Sequence, residues 1–511
     1  MSYLLGIDLA TNGVVALLVN PEDYINPVLA RVFEGHPTIN PAPGIVEQEP
    51  DRWWGATVRA IRRLLAETEV DGQEIRAIGL SGQMHGLVMV DERGRPVRTC
   101  ITWTDTRDKD ISGDMLEMAS AEQWLDWTGA VPVAGLAGTR LMWVKENEPE
   151  VLQRAHKVLA PKDYLRFKLT GEYATDVSDA SSSLLFDIVA RKWSSSAINC
   201  MGIDDKILPR VYESQETSGI ITHDVAEVTG LYPGTPVVAG SGNQAAAAMG
   251  LGVIRSNEVA AVMGSGGVVM ASMHEPLVDK MQRVNTLCHA RRSKWYMVGL
   301  TQAAGISFRW FRDTFCHAEK EVAGNLWDDP YTLMTRQAAE VMPGSDGLMF
   351  LPYINGERSP YQNPDARGVF IGISAKHHKP HFIRAVMEGV TYSMRDCMEA
   401  MKDTGVKVDR VVMTGGSMQS DVWRHIFADS FGVDIIKTNI DDPAPFGAAL
   451  MSSVAAGYWT SVENAVEHLV QATDVTEPNP EMTAKYNNYF EIYKSLYPTL
   501  APTFELMARN R

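Results

Sequence analysis

The sequence of 511 residues predicts an α/β fold built from two similar halves. Segments with helical periodicity alternate with short apolar segments rich in β-branched residues, and this alternation is typical of α/β layers. A strand–turn–strand pattern in residues 3–20 returns in residues 259–273, about 255 residues later, which indicates duplicated halves. With 45% hydrophobic and 22% charged residues, the chain has the composition of an ordinary globular protein.

Both predicted hairpins turn at glycine. In residues 3–20 (YLLGIDLATNGVVALLVN), two apolar runs flank the polar turn of residues 8–13. In residues 259–273 (VAAVMGSGGVVMASM), the turn is GSGG at residues 264–267. Apolar β-branched runs around such turns predict two antiparallel strand pairs.

Further helices and strands follow from hydrophobic spacing. Residues 231–254 form the longest stretch without a charged residue, but their prolines and glycines predict a buried strand, loop and helix and not a membrane span. The other clear predictions are helices over 50–67, 122–127 and 421–431 and strands over 75–80, 87–90 and 408–414.

A domain boundary is predicted where glycine and proline concentrate. Residues 230–236 (GLYPGTP) lie immediately before the second half, and such segments are typical of the approach to a new domain. We therefore divide the chain into domains of residues 1–236 and 237–511.

Composition also restricts the partners. A net charge of −16 and the absence of a long Lys/Arg run predict no nucleic-acid partner. The five cysteines are widely spaced and include no CxxC pair, so we expect reduced thiols in a cytoplasmic protein. The N-terminus has no basic segment before Arg31, so no signal peptide and no membrane attachment are expected.

The hairpin turns are candidate phosphate sites. Backbone N–H groups and a hydroxyl at such a turn can face phosphate oxygens, and Asp8 at the strand end can hold Mg²⁺ through water. Each turn alone is better explained by an ordinary hairpin. Together they favour a nucleotide triphosphate clamped between two lobes. The predicted phosphate-facing residues are Thr11, Gly13, Gly264, Ser265 and Gly266.

A third glycine motif joins a predicted strand to a predicted helix. Gly415 and Gly416, followed by Gln419, would let the backbone approach a ligand and would offer unpaired N–H groups. A connection without a ligand explains this pattern nearly as well.

Polar residues at strand ends are candidates for hydroxyl recognition. Residues 81–86 (SGQMHG) follow a predicted strand directly, where α/β sheets place ligand contacts. Gln83 and His85 could hydrogen-bond hydroxyl groups, although a lone histidine such as His85 is more often a structural residue. Asp105 is a candidate carboxylate, with a solvated Asp/Arg loop as the alternative. Asn243 and Gln244 lie at the start of a predicted helix, where capping by Asn243 is a strong alternative.

These motifs together resemble the FGGY carbohydrate kinases over nearly the whole chain, most closely the xylulokinases. A series of motifs in one order is far more specific than any single glycine motif. The segments that carry the resemblance are GIDLATNG (6–13), SGQMHG (81–86), ITWTDTR (101–107), LAPKDYLRFKLTGEYATDVSDAS (159–181), VVAGSGNQAAAAMGLG (237–252), MGSGGVV (263–269), FLPYINGERSP (350–360), GVFIGISAKHHKPHFIRAVMEGV (368–390) and TGGSMQSDVWRHIFADSFG (414–432).

The resemblance implies an actin/hexokinase-like (ribonuclease H-like) ATPase fold with a deep cleft between a sugar-binding domain and a nucleotide-binding domain. It implies ATP and Mg²⁺ as cofactors and phosphorylation of a small ketose or polyol at a terminal hydroxyl, with D-xylulose giving D-xylulose 5-phosphate preferred. Asp8 would serve Mg²⁺ and the phosphates, and residues 415, 416 and 419 would lie near the adenosine. The residues implied to face the sugar are Gln83, Met84, His85, Asp105 and Gln244.

One departure from the family pattern affects the chemistry. Xylulokinases typically read GGGDN where this chain reads GSGNQ, so the catalytic Asp of the family falls on Asn243. An amide cannot accept the hydroxyl proton, and losing a general base typically costs about 10²- to 10⁴-fold in rate. Phosphoryl transfer depends mainly on positioning and charge stabilisation, so slow transfer is compatible with Asn243. Smaller departures are Ala10, Asn12, Arg140 and Ser265.

Three hypotheses remain in order of preference. The first is an active sugar kinase in which Asp8 or Asp105 takes the proton, directly or through water. The second is a kinase-like protein that binds sugar or nucleotide with little turnover. The third is an ATPase of the actin or chaperone type, which the sugar-kinase motifs disfavour. The oligomeric state stays open, with a homodimer as the candidate.

Overall fold

Two seven-stranded mixed sheets organise the chain, one in each half. The structure is a computed structural model that describes residues 2–327 and 329–510. Its strands, in chain order, are β1 (Tyr3–Ala10), β2 (Gly13–Val19), β3 (Val28–Gly35), β4 (Glu47–Gln48), β5 (Ile75–Gly82), β6 (Val88–Val90), β7 (Cys100–Ile101), β8 (Lys157–Leu159), β9 (Ala174–Asp176), β10 (Phe186–Asp187), β11 (Lys192–Trp193), β12 (Arg210–Tyr212), β13 (Thr217–Ile220), β14 (Pro236–Val238), β15 (Ser241–Gly242), β16 (Glu258–Met263), β17 (Gly267–Met273), β18 (Asn285–Cys288), β19 (Trp295–Thr301), β20 (Met349–Leu351), β21 (Val369–Ile371), β22 (Arg410–Gly415), β23 (Asp434–Thr438) and β24 (Ala472–Thr476).

Helices cover the sheets and connect them. In the same described residues they are α1 (Pro50–Thr68), α2 (Ile111–Met118), α3 (Ala121–Thr128), α4 (Ala137–Asn147), α5 (Pro149–Arg154), α6 (Pro161–Thr170), α7 (Val177–Ser181), α8 (Ser195–Met201), α9 (His223–Thr229), α10 (Asn243–Gly250), α11 (Gly305–Phe315), α12 (His317–Leu326), α13 (Pro330–Ala339), α14 (Lys379–Asp403), α15 (Asp421–Phe431), α16 (Pro443–Ser452), α17 (Val462–Leu469) and α18 (Pro480–Arg509).

The two sheets repeat the same plan. In the first, β1 pairs antiparallel with β2 and parallel with β5, and β5 pairs parallel with β14. In the second, β16 pairs antiparallel with β17 and parallel with β22, and β22 pairs parallel with β23. The predicted duplication is therefore confirmed at the level of strand order.

Helices α10 and α16 lie between the two sheets and join them. Their buried side chains form one hydrophobic cluster with Leu4 and Ala77 of the first sheet and with Ala260 and Met270 of the second. The helices approach at backbone distance: a Cβ added at Gly447 would lie 1.9 Å from the Ala246 carbonyl oxygen. Only glycine permits such an approach, so this helix pair sets the spacing of the lobes.

Local sequence explains the predicted elements well. Helix α15 has the predicted bounds, because the Ser420 hydroxyl accepts the Trp423 amide at its start and Gly432 follows its end at φ 69°. The other predicted helices and strands occur with ends shifted by one or two residues. Residues 231–254 form buried strands, a loop and α10, as predicted, and no helix in the described part of the chain is long and apolar enough for a membrane span.

The domain division at residue 236 stays a prediction. β14 and β15 both pair with β5, so the first sheet continues beyond that residue. The five cysteines are free thiols, and four of them are buried.

Candidate active site

A cavity of about 440 Å³ lies between the lobes at the hairpin ends of the sheets. From the first half, Asp8, Asn12, Asn243 and Gln244 line it. From the second half it is lined by Val262 and Val268, which face each other across the β16–β17 pair, and by the polar residues Asp441 and Asp442 before α16. The two predicted hairpins thus face one shared cavity.

Asp8 lies in the middle strand of its sheet and points into this cavity. Residue 8 pairs with Val15 on one side and Ser81 on the other, and the Ser81 hydroxyl donates to Asp8 Oδ1 at 2.5 Å. Burial, reinforced by the nearby negative charge of Asp442, raises the pKa of Asp8 from 3.8 to about 6 although the Ser81 hydrogen bond opposes this. Asp8 is therefore ionised at neutral pH and is a better proton acceptor than an ordinary aspartate.

Mg²⁺ fits the donor set at this end of the cavity. Carboxylate oxygens are the ligands this ion prefers, and Mg²⁺ usually keeps several waters and binds only one or two protein carboxylates together with substrate phosphates. Asp8 offers such a carboxylate. Among the described residues, no group of three or more His, Cys, Asp or Glu side chains could hold a metal ion without such additional ligands.

The first hairpin turn is anchored to its surroundings. The Thr11 hydroxyl accepts a hydrogen bond from the Trp103 indole at 3.0 Å, and the Thr11 carbonyl accepts one from the Gln48 amide at 2.8 Å. A Cβ at Gly13 would lie 2.4 Å from the Phe33 ring, so packing against β3 by itself requires glycine there.

A second cavity of about 460 Å³ lies in the second lobe beside the GSGG turn. Gly264, Ser265, Gly416 and Gln419 line it together. Gly415 pairs with Met263 at its edge, where a φ of 114° and a Cβ position 2.2 Å from the Met263 carbonyl oxygen both demand glycine. The carbonyl oxygens of residues 264 and 265 accept the first amides of α11, and the Gly264 amide donates to the Gly266 carbonyl.

Three aromatic residues that line this second cavity were not predicted. Phe308 stacks on Tyr331 at 5.4 Å between ring centroids and meets Trp423 edge-on at 4.8 Å. Aromatic and apolar walls with a few polar groups are typical of nucleotide and other small-molecule sites. The three residues lie on α11, α13 and α15, and no short motif connects them in the sequence.

The loop of residues 81–86, which we predicted to contact the sugar, has two largely buried side chains, Gln83 and Met84. Gln83 donates its side-chain amide to Gln48 at 2.9 Å, and its own side-chain oxygen is buried without a partner. Met84 belongs to the hydrophobic cluster between the lobes. Neither residue lines the cavity of Asp8, so their contact with a sugar stays a prediction.

His85 has the properties of a neutral hydrogen-bonding residue. Burial, followed by the positive charges of Arg358 and Arg140, lowers the pKa of His85 to about 3. Its Nδ1 atom lies 3.2 Å from the Ser182 carbonyl oxygen, which can only accept. We therefore assign the proton to Nδ1, which leaves Nε2 as an acceptor for a hydroxyl group.

Asp105 is held in place by other residues. Its carboxylate accepts two hydrogen bonds from the Arg107 guanidinium, at 2.9 and 2.8 Å, and one from the Val46 amide at 2.7 Å. Burial would raise the pKa of Asp105, but these interactions hold it below its usual value. Of the two carboxylates considered as proton acceptors, Asp105 is therefore the weaker base.

Asn243 and Gln244 are the first two residues of α10. The alternative that Asn243 caps this helix is wrong, because the N-cap is Gly242 and no side chain caps it. The Gly242 amide donates to the Ser178 hydroxyl at 2.9 Å, and that hydroxyl donates to Asp176 at 2.6 Å. Asn243 is thus positioned by a buried polar network.

That network contains a buried lysine to which the sequence analysis assigned no role. Lys162 Nζ lies 2.6 Å from Asp163, 3.0 Å from Asp176 and 3.3 Å from Asp179, and all four side chains are almost completely inaccessible. Burial raises the pKa of Asp179, which lies beside Gly242. The polar residues of segment 159–181 were visible in the sequence, but their convergence required the fold.

Comparison with known proteins identifies the family. The N-terminal domain of the FGGY family of carbohydrate kinases matches residues 3–250, and the C-terminal domain matches residues 259–456. The chain belongs to this family. It is therefore an ATP-dependent sugar kinase with the predicted two-domain α/β fold.

Relatives of this kinase carry more than one substrate name. A xylulose kinase of Bacillus subtilis is 34% identical over 498 residues, which cover 97% of each chain. A gluconokinase of the same organism is 30% identical over 499 residues, covering 97% of this kinase and 95% of the relative. The structure of ligand-bound xylulose kinase from Lactobacillus acidophilus superposes with a TM-score of 0.91 at 26% identity, covering 99% of this kinase and all of that chain.

Proposed function

We propose that this kinase transfers the terminal phosphoryl group of ATP to a terminal hydroxyl of a small ketose or polyol, with D-xylulose giving D-xylulose 5-phosphate as the preferred reaction. The observation that carries the proposal is the cavity that Asp8, Asn243 and Gln244 share with the second hairpin. The aromatic nucleotide-sized cavity beside it and the xylulose kinases among the relatives support the same reaction.

Each site residue has a role in this proposal. Asp8 would hold Mg²⁺ through water, which leaves its carboxylate free to accept a proton, and the ion would neutralise charge on the phosphate oxygens. Asn243 and Gln244 orient the reacting alcohol, and His85 Nε2 accepts a hydrogen bond from another hydroxyl. The remaining sugar-facing residues are Gln83, Met84 and Asp105. The nucleotide-facing residues are Thr11, Gly13, Gly264, Ser265, Gly266, Gly415, Gly416 and Gln419.

The hydroxyl proton goes to Asp8 in this proposal. Asn243 has no basic lone pair, and Asp105 is saturated by Arg107 and Val46. Asp8 lines the cavity with a pKa near 6 and is therefore the stronger base. Because the transition state of phosphoryl transfer is loose, proton removal contributes less than positioning does.

A second candidate function is supported by Asn243 itself. A chain that has lost the family carboxylate at the reacting hydroxyl could bind sugar and nucleotide with little turnover. An aldonic acid is the alternative substrate, since one relative is a gluconokinase.

A coupled assay of ADP release separates these functions. Purified protein with ATP and Mg²⁺ is presented with D-xylulose, D-ribulose, glycerol and D-gluconate in turn. ADP release that requires D-xylulose supports the proposal. Release that requires D-gluconate would make D-gluconate the substrate in place of D-xylulose. Saturable sugar binding in calorimetry without ADP release supports the second function, and sugar-independent hydrolysis contradicts both.

We also propose a cytoplasmic location, since free cysteine thiols are typical of reducing compartments. Fractionation of cells that express a tagged protein tests this proposal.

A further inference from the structure

The catalytic cavity contains one cationic side chain. Of the described residues that line it, Asp8, Asp441 and Asp442 are acidic, and Arg31 is the only lysine or arginine. A nucleotide triphosphate would bring further negative charge into this space. Phosphoryl transfer depends on positive groups around the transferred phosphoryl group, so the position of Arg31 determines whether the protein itself supplies one.

Sheet register places Arg31 on the same face as Asp8. Asp8 on β1 pairs with Val15 on β2, which pairs with Phe33 on β3, and these three residues form one row across the sheet. Arg31 lies two residues from Phe33 and therefore on the same face of β3. With strands about 4.8 Å apart and about 3.4 Å per residue, the Cα atoms of Arg31 and Asp8 are about 12 Å apart. Arg31 pairs with Leu17 and therefore lies two residues farther from the hairpin turn than Asp8 does. Its side chain can reach a phosphoryl group held beside Asp8, and not one bound at the turn itself.

Arg31 is held over the cavity by a residue of the other lobe. Its Nε atom lies 2.9 Å from Asp442 Oδ2, and the two side chains are 43% and 34% exposed. An ion pair with this exposure is weak and exchanges readily. The two terminal nitrogens of Arg31 donate no hydrogen bond to any described residue, so they are available for phosphate oxygens, which guanidinium groups bind in a bidentate manner.

We propose that Arg31 is a catalytic residue that contacts the terminal phosphoryl group of the nucleotide and exchanges its ion pair with Asp442 for that contact when the nucleotide binds. This inference rests on the proposed transfer reaction. The alcohol oxygen forms a bond to the terminal phosphorus, the bond from that phosphorus to the bridging oxygen breaks, and ADP leaves with the electron pair. The alcohol proton passes to the acceptor carboxylate. Arg31 gains and loses no proton and stabilises the charge on the transferred group.

The test compares nucleotides that differ only in the terminal phosphate. Calorimetry without sugar measures the affinity of the Mg²⁺ complexes of ADP and of a non-hydrolysable ATP analogue. Arg31→Gln is expected to weaken binding of the analogue by about tenfold or more, the usual loss for a charge-assisted contact, and to leave ADP affinity within about twofold. Arg31→Lys is expected to retain part of the preference, and kcat should fall with Arg31→Gln while the KM for sugar changes little.

Two further variants keep the result interpretable. Arg52→Gln removes an exposed arginine of α1 that pairs with Glu49 just before this helix. This variant should change neither nucleotide affinity nor kcat. Asp442→Asn breaks the same ion pair but leaves Arg31 in place, so it should keep the preference for the ATP analogue over ADP.

Three outcomes would overturn the proposal. Equal losses for ADP and the analogue in Arg31→Gln would assign Arg31 to the shared phosphates or to the fold. If Asp442→Asn also lost the preference for the ATP analogue over ADP, the Arg31–Asp442 ion pair would act by holding the two lobes together and not through a contact of Arg31 with the phosphate. If the wild-type protein binds neither nucleotide, the proposed transfer reaction fails, and with it the role of Arg31.

Discussion

At the scale of single residues, Asn243 and Asp8 define the chemistry of the cleft. Asn243 lines the cavity at the position where the resemblance implies a carboxylate, and Asp8 is the carboxylate of the first half that lines the same cavity in the described residues. The amide of Asn243 cannot accept a proton, and burial raises the pKa of Asp8 to about 6. Two predictions follow from this pair.

Replacement of Asn243 by aspartate should increase turnover. The change returns a proton acceptor to the reacting hydroxyl, and general-base catalysis contributes about 10²- to 10⁴-fold, so kcat should rise toward that range. Steady-state kinetics with the best sugar substrate measure the effect, and Gln244→Glu serves as the control for added negative charge. An active enzyme that Asn243→Asp leaves unchanged or slows would show that the missing base is not at this position.

Asp8 should impose a pH dependence on both binding and stability. Affinity for the Mg²⁺ complex of ADP should fall as the pH drops through about 6, because protonated Asp8 no longer attracts the ion. Because the pKa of Asp8 is raised in the folded state, its burial does not lower the free energy of unfolding below about pH 4, where Asp8 is protonated in both states. Above about pH 6, where Asp8 is ionised in both states, its burial lowers the free energy of unfolding most. The rise from 3.8 to about 6 corresponds to about 3 kcal/mol.

Asp8→Asn should therefore increase the free energy of unfolding by up to about 3 kcal/mol above pH 6, with the gain vanishing below pH 4. Urea unfolding at a series of pH values measures this difference. A gain that is the same at pH 4 and pH 8 would contradict the assigned pKa.

At the scale of elements, the start of α10 depends on helices α6 and α7. Lys162 on α6 neutralises the buried carboxylates, and Ser178 on α7 holds the Gly242 amide beside Asn243. Neither helix contributes a residue to the lining of the Asp8 cavity. They act through the position of α10.

Replacement of Lys162 by methionine should destabilise the protein strongly. It removes the cation that contacts Asp163, Asp176 and Asp179 and leaves only Arg166, which pairs with Asp163, and loss of one partner from a buried pair typically costs about 3–5 kcal/mol. The matched control is Lys168→Met, on the same helix with a partly exposed side chain, which should cost less than about 1 kcal/mol. Chemical denaturation measures both changes, and equal losses would show that the buried network is not required.

At the scale of the whole molecule, the two lobes form one unit because α10 and α16 fill the space between the sheets. The residues of this cluster are alanine, glycine and other apolar types that allow close backbone packing. The cavity lined by Phe308, Tyr331 and Trp423 and the Asp8 cavity lie on either side of the second hairpin. The spacing of the lobes therefore sets the relative position of the two cavities and, in the proposed reaction, the alignment of ATP with the alcohol.

Replacement of Gly447 by alanine should disturb this spacing. The added Cβ would meet the Ala246 carbonyl oxygen at 1.9 Å, and overpacking of this kind typically costs about 1–3 kcal/mol. Gly113→Ala is the control, since it lies in α2 with no atom within 4 Å of the new Cβ and should be neutral or slightly stabilising. Thermal unfolding compares the two. A Gly447→Ala variant as stable as wild type would show that the helices can separate without cost.

The sequence by itself determined the hairpins, the α/β alternation and the presence of an amide and not a carboxylate at residue 243. Turn glycines, β-branched runs and helical spacing act over a few neighbouring residues, so the local structure that they favour can be predicted from the sequence. The family resemblance then extended these local predictions to a two-lobed kinase, and the comparisons confirmed the family and its fold.

Only the tertiary structure decided which polar groups remain available. It paired Asp105 with Arg107, joined Lys162 to three aspartates, brought together aromatic residues from three helices and placed Arg31 over the cavity of Asp8. Apart from the neighbouring pairs Asp105–Arg107 and Lys162–Asp163, these relations join residues that are distant in the sequence, and they depend on burial and on the directions of several elements at once. The charge and hydrogen-bonding capacity of a side chain in the cleft are set by what surrounds it in space, which no local pattern specifies.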